Sequence, residues 1–224
     1  MSTTLTATVC YLDRGERFIA SNRSIHTETW ETRFCGDEID RPSNSTENIS
    51  DWNLLAIVRH PLERFMSGFY DKCIVRSQEP KYAHFCYGCN GSLSCFLYKL
   101  YANARKLLTT VDFDEIDFEG RHFYPQNWFC NFLQFPHMKV IRFLNSPDEQ
   151  SRLRRDFLNF LKQAQVEESQ LKYIEAELHL KSPHQTRDHS KLDIYLDELL
   201  GSQELLNKFM QIFYYDFVLF GFMM

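Results

Sequence analysis

Between residues 53 and 73 the chain reads NLLAIVRHPLERFMSGFYDKC, an apolar run that stops on a cation. Arg59 is followed by His60 and Pro61, and the next stretch carries Arg64 and Ser67. A guanidinium is a planar fork of N–H donors that matches the oxygens of a phosphate. At the C-terminal end of a buried parallel strand it faces the crevice where open α/β sheets bind ligands. A helix starting at Pro61 aims its unpaired N–H groups and positive dipole end at the same place. Arg59 and Ser67 are therefore candidates for holding an anion. The plainer alternative is that Arg59 caps its strand and pairs with Glu63 or Asp71.

Other residues carry related chemistry. Ser2, Thr3 and Thr4 open a helix with small hydroxyl side chains, and hydroxyls beside free N–H groups suit a phosphate. A nucleotide-binding loop of the GxxxxGK type would need a strand, a glycine loop and a lysine ahead of them, and Met1 is the first residue. An N-capped helix explains the same residues equally well. His122 stands before Phe123, Tyr124 and Pro125, and an imidazole suits proton transfer near neutral pH. A histidine that only bonds a loop is the competing reading. His184, a second candidate for proton transfer, lies with Thr186 and Arg187 in SPHQTRDHSK, a polar loop before the last helix.

These residues need elements to place them. NLLAIV, residues 53–58, is a short continuous apolar run of the kind found in buried parallel strands. Phe65 and Phe69 give the following segment an apolar stripe at helical spacing through residue 72. Residues 93–108 read as a helix and MKVIRFL, 138–144, as a second buried strand. Ser146, Pro147 and Glu149 form a capping-box start for a helix over 146–164. A last helix is expected at about 193–214, followed by DFVLFGF, while 77–92 reads as an irregular insertion. Strands alternating with helices imply an α/β fold with a mostly parallel central sheet flanked by helices.

Composition bounds the function. The 224 residues are 44% hydrophobic and 15% aromatic, enough for a substantial core. The net charge of −5 rules out nucleic acid as a partner attracted by bulk charge, so any anion must be held by a local cluster. No apolar run reaches the length of a membrane span, and the first residues do not read as a signal peptide. Seven cysteines and sequons at Asn22, Asn44, Asn48 and Asn90 nevertheless point to an oxidising compartment. Disulfides fit such a compartment, a zinc site lacks a second C-x-x-C or His pair at a finger spacing, and the odd count leaves at least one thiol unpaired within the chain. Pairing is not readable from the sequence.

Three ordered segments carry a resemblance. IVRHPLERFMSGFYDKC resembles the 3′-phosphate-binding segment of Golgi carbohydrate sulfotransferases, in which an Arg, a Pro, a second Arg, a Ser, an aromatic and a Lys keep this spacing. HFYPQNWFC, 122–130, and YYDFVLFGF, 214–222, are similar to that family's later segments. The likeness is greatest to the nematode-expanded branch related to chondroitin and HNK-1 sulfotransferases. It implies a P-loop-like sulfotransferase fold and a single domain over 1–224. MSTTLTATVCYL resembles the back half of the family's 5′-phosphosulfate loop and helix, so the first strand and its basic residue are expected to be missing and the domain N-terminally incomplete.

The resemblance implies 3′-phosphoadenosine 5′-phosphosulfate (PAPS) as donor and a sugar hydroxyl as acceptor, on a glycosaminoglycan such as chondroitin. Arg59 and Ser67 would hold the 3′-phosphate. Ser2, Thr3 and Thr4 would lie near the phosphosulfate, and His184, Thr186 and Arg187 would contact the donor. His122 would be the base, ahead of His184, with His60 a weaker candidate. No metal is required, since arginine and helix dipoles carry the charge. The family implies a Golgi location through a membrane anchor, which this chain lacks. The alternative is a catalytically inactive relative that binds a glycan or a protein partner.

Overall fold

A computed structural model describes residues 2–36, 52–110, 116–130, 132–143, 146–180 and 189–223. The chain forms two compact units, one of residues 1–54 and 145–187 and the other of 55–144 and 188–224.

The first unit holds helix α1, Ser2–Ala20, with α5, Pro147–Gln163, and α6, Glu168–His179. Its apolar side chains include the buried Phe18, Ile25, Phe157 and Ile174. Tyr11 of α1 packs on Tyr173 of α6 with ring centroids 4.4 Å apart. A disulfide joins Cys10 to Cys35, and the segment between returns along α6, where Glu177 accepts the main-chain N–H of His26 at 3.1 Å. The capping box at Ser146 forms as its sequence dictates: the hydroxyl accepts from the Glu149 N–H and Glu149 reaches back to the Ser146 N–H.

The second unit holds the sheet. Strands β1, Leu55–Arg59, and β2, Lys139–Phe143, run parallel, with Arg59 opposite Phe143. These are the two strands expected, and the fold is α/β. Pro61 opens α2, Pro61–Gly68, as its fixed φ favours. The helical stretch then loosens into a π-helical turn, Phe69–Val75, where one regular helix had been expected through residue 72. Such turns widen a helix by one residue and collect at functional sites.

Helix α3, Leu93–Thr110, matches its sequence signal, and α4 is a six-residue helix, Phe118–Phe123, capped by the Asp117 side chain. The expected last helix is instead two, α7, His189–Gly201, and α8, Gln203–Phe220. Ser202 between them is extended, and its hydroxyl accepts the Leu205 N–H, which starts a new helix. Helix α8 continues through DFVLF and stops at Gly221, whose φ of +61° is a left-handed cap.

Phenylalanines 65, 69, 96, 123, 209 and 213 fill the core of this unit, drawn from α2, the π-helical turn, α3, α4 and α8. Disulfides Cys73–Cys86 and Cys89–Cys95 fasten the insertion between α2 and α3. Cys130 is the free thiol, half-buried, and burial raises its pKa.

Candidate functional site

The three segments singled out in the sequence meet in the second unit. Arg59, the last residue of β1, donates its main-chain N–H to Gln126 Oε1 at 2.8 Å, and its carbonyl accepts from Gln126 Nε2 at 2.8 Å. The strand therefore ends by pairing its backbone with a side-chain amide, as it would with another strand. Gln126 is fixed in turn by Asp216 of α8, which has no exposed surface. One oxygen of that carboxylate accepts the Gln126 N–H at 2.7 Å and Nε2 at 3.4 Å. The other accepts the Asn127 N–H at 2.9 Å and Nδ2 at 2.7 Å. A buried carboxylate is tolerated only with such saturation.

Arg64 makes a second link. From α2 it donates to the carbonyl of Tyr124 at 2.9 Å, closing the C-terminal end of α4. Burial lowers its pKa to about 10, against the attraction of Asp216, so it stays charged at neutral pH. The second Arg of the segment thus braces the site from within.

At the corner between β1 and α2, Arg59 lies 3.6 Å from Glu63, the pairing expected on the plain reading. Asp71 is engaged elsewhere, 2.7 Å from Lys72 and 3.8 Å from Arg76. Arg59 Nε is nonetheless buried and has no hydrogen-bond partner among the described residues. Its guanidinium carbon stands 5.4 Å from the centre of the Phe143 ring. The first turn of α2 adds N–H groups that no helical carbonyl reaches. That Nε is the atom facing Glu63, too far for a hydrogen bond, and a buried guanidinium N–H without one beside a helix start suits the oxygens of an anion. Neighbouring His60 donates Nε2 toward the Met223 carbonyl at 3.3 Å, and its Nδ1 is buried without a hydrogen-bond partner among the described residues. With the proton on Nε2, Nδ1 can donate only as the imidazolium. Ser67 is half-buried on α2, one turn beyond Glu63 and Arg64.

His122 sits near the end of α4 with Nδ1 2.7 Å from the Phe118 carbonyl. A carbonyl only accepts, so in the neutral ring Nδ1 carries the proton and Nε2 keeps a lone pair. Burial pushes the His122 pKa below its ordinary value, and the cations Lys72 and Arg64 push it the same way. The Phe118 carbonyl and Asp71 oppose them. The imidazole is therefore neutral at pH 7, the state a proton acceptor needs.

Ser2, Thr3 and Thr4 open α1 in the first unit, where the Thr4 carbonyl accepts the Thr8 hydroxyl at 2.8 Å. Thr3 lines a tight seam with Thr6, Glu28, Trp30 and Arg33, and the Arg33 guanidinium lies 3.6 Å over the Trp30 ring. His184, Thr186 and Arg187 lie outside the described residues. No group of three or more His, Cys, Asp or Glu is placed to hold a metal ion among the described residues, and six of the cysteines are paired in disulfides.

Sequence reasoning missed Gln126, Asp216 and the inward role of Arg64. The signal for Asp216 was present: a lone carboxylate among Phe213, Phe217 and Phe220 on one apolar helix face. Nothing local marks Gln126, whose partners stand 67 and 90 residues away.

Comparison with known proteins gives a consistent result. The model of a family described as "Sulfotransferase family" matches residues 1–223. Carbohydrate sulfotransferase chst-1 of Caenorhabditis elegans is 31% identical over 99% of this chain and 70% of its own length. Two further C. elegans proteins, C18B2.2 and vep-2, are each 31% identical, over 98% and 83% of this chain. The chain spans 63% and 60% of the lengths of those two. No solved structure matches.

Proposed function

The chain belongs to the sulfotransferase family, and on that premise we propose that it transfers a sulfuryl group from PAPS to a hydroxyl of a glycosaminoglycan such as chondroitin. The observation that carries this reading is Arg59 at the corner where β1 ends and α2 begins, its Nε buried with no hydrogen bond among the described residues and only a 3.6 Å ion pair to Glu63. In the proposal Arg59 and Ser67 hold the 3′-phosphate of the donor, and the first turn of α2 adds its N–H groups. Gln126 and Asp216 hold the Arg59 backbone in register. Ser2, Thr3 and Thr4, and likewise His184, Thr186 and Arg187, enter as donor contacts through the sequence argument and the resemblance alone.

PAPS supplies an activated sulfuryl group whose leaving group is a phosphate. The acceptor oxygen bonds to sulfur, the bond from sulfur to the phosphate oxygen breaks, and the hydroxyl proton passes to His122 Nε2. The products are a sulfate ester and adenosine 3′,5′-bisphosphate. The main chain at Phe118 fixes the His122 tautomer, and burial, helped by Lys72 and Arg64, keeps the ring neutral until the proton arrives. Most of the acceleration then comes from positioning and fixed charge, as in phosphoryl transfer.

The cysteines bear on the compartment. Three disulfides are stable in an oxidising lumen, which supports a Golgi assignment. No described helix is long and apolar enough to cross a membrane.

Calorimetry with adenosine 3′,5′-bisphosphate and adenosine 5′-monophosphate tests the proposal. The protein is expected to prefer the bisphosphate, and Arg59→Ala is expected to abolish the preference. A protein that binds chondroitin but neither nucleotide would instead be a non-catalytic relative.

A further inference from the structure

The insertion between α2 and α3 has an internal order that anion binding does not explain. Four rings stand in a ladder. Tyr82 stacks on Phe85 at 4.8 Å and 26°, and Phe85 on Phe118 at 4.0 Å and 22°. Phe118 meets the His122 ring at 4.2 Å and 40°. The last two rings belong to α4, and Phe118 also supplies the carbonyl that fixes His122 Nδ1. The first two belong to the insertion.

The rung at Phe85 is held under constraint. The next two residues, Cys86 and Tyr87, both have φ of +56°, which L side chains rarely adopt. Consecutive non-glycine residues in that region persist only where the surroundings over-determine them. Here the constraints are visible. A disulfide ties Cys86 to Cys73 in the π-helical turn, next to Lys72. The Cys86 N–H donates to Glu119 Oε1 at 2.7 Å, and Glu119 is a buried residue of α4, three before His122. The insertion is thus bolted to the helix that carries the histidine and to the turn that carries a neighbouring cation.

We infer that the Cys73–Cys86 loop is a positioning device for His122, acting through the stacked rings Tyr82, Phe85 and Phe118. The inference rests on the proposed role of His122 for its link to turnover, though not for its geometry. The rings do two things. They fix the plane of the imidazole, with the Phe118 carbonyl fixing its rotation. They also exclude water from one face, and exclusion of water disfavours the imidazolium. The charged groups acting on the ring are Lys72 and Asp71 on the π-helical turn and Arg64 on α2, while Glu119 and Arg121 share its helix. Glu119 is committed to Cys86, and His84 of the insertion stands edge-on to Phe85 at 5.0 Å. Phe85, Phe118 and the disulfide are therefore positioning residues, and the proton is taken by His122.

Two variants of the whole chain test this, Phe85→Leu and the paired Cys73→Ala with Cys86→Ala. The readouts are the His122 titration midpoint by NMR, affinity for adenosine 3′,5′-bisphosphate, and rate of sulfate transfer. Affinity equal to the unaltered protein certifies that the second unit is folded. The expected result is a midpoint raised by about half a unit as water reaches the ring. Transfer falls about tenfold, since small misplacements of a reacting group are costly. Phe85→Tyr restores both. Removing the Cys10–Cys35 disulfide, which lies in the other unit, leaves the midpoint unmoved. A midpoint unchanged in both variants overturns the inference. A midpoint that moves while transfer does not upholds the positioning and overturns the role of His122 as base.

Discussion

Replacing Asp216 by asparagine should cost the protein several kcal/mol and loosen the Arg59 corner at the same time. The carboxylate accepts from both nitrogens of Gln126 on one oxygen and both of Asn127 on the other. Asparagine keeps one acceptor oxygen, while its NH2 group faces the second pair of donors. Two partly buried N–H groups then lose their acceptor. Each hydrogen bond to a charged acceptor is worth about 1.5–3 kcal/mol. The 3.4 Å contact contributes least, so we expect a loss of about 3–5 kcal/mol, the range for breaking a buried charged pair. Against a domain stability of about 5–15 kcal/mol that is severe but survivable. The assay is urea unfolding followed by tryptophan fluorescence, with Trp128 adjoining Asn127 as a local reporter. A loss below about 1 kcal/mol at unchanged slope would refute the claim that Asp216 anchors the site. Gln126→Leu gives a milder second probe. The two changes should couple by about 0.5–3 kcal/mol in a double-mutant cycle, because they share one network.

Arg59→Ala should weaken adenosine 3′,5′-bisphosphate binding by about 1.5–3 kcal/mol in calorimetry, with the unfolding curve little changed. Because His122 titrates below its ordinary value of 6.5, transfer should hold through neutral pH and fall as pH drops through a midpoint under 6.5. The same sign applies to stability: the unfolded chain binds the proton more readily, so stability declines as pH falls below about 6.5. Gly120→Ala should disturb α4, since a Cβ there would come 2.5 Å from the Tyr124 ring and 2.7 Å from Ile116. We expect a loss of about 1–3 kcal/mol, read by thermal unfolding. Removing the Cys10–Cys35 crosslink, which spans 25 residues, should cost about 3.5 kcal/mol by the loop-entropy relation, measured in urea.

Local chemistry made much of the fold legible. NLLAIV and MKVIRFL are apolar and short, and Pro61 and Ser146 mark helix starts that form where their geometry requires. Helix α4 has only six residues, too few for a 3.6-residue period to show. Helix α6 was not marked either: its sequence ESQLKYIEAELH fully buries a single side chain, Ile174. Continuity misled at the end of the chain, where the apolar period runs on past the stop signal of Gly201 and the start signal of Ser202. Arg59 stands out in the sequence because a cation ends an apolar strand. The clasp that holds it does not, because Gln126 and Asp216 act across 67 and 90 residues and no local pattern records such a pairing.

The central claim is that a neutral His122 takes a proton during sulfate transfer while the Arg59 corner holds the nucleotide. Its most direct test is transfer of radiolabelled sulfate from PAPS to chondroitin by the unaltered protein and by His122→Ala, with nucleotide affinity measured on both. The account predicts equal affinity and transfer slower by about 10²–10⁴-fold in the variant. Equal transfer by both proteins, or no transfer by the unaltered one, would contradict it.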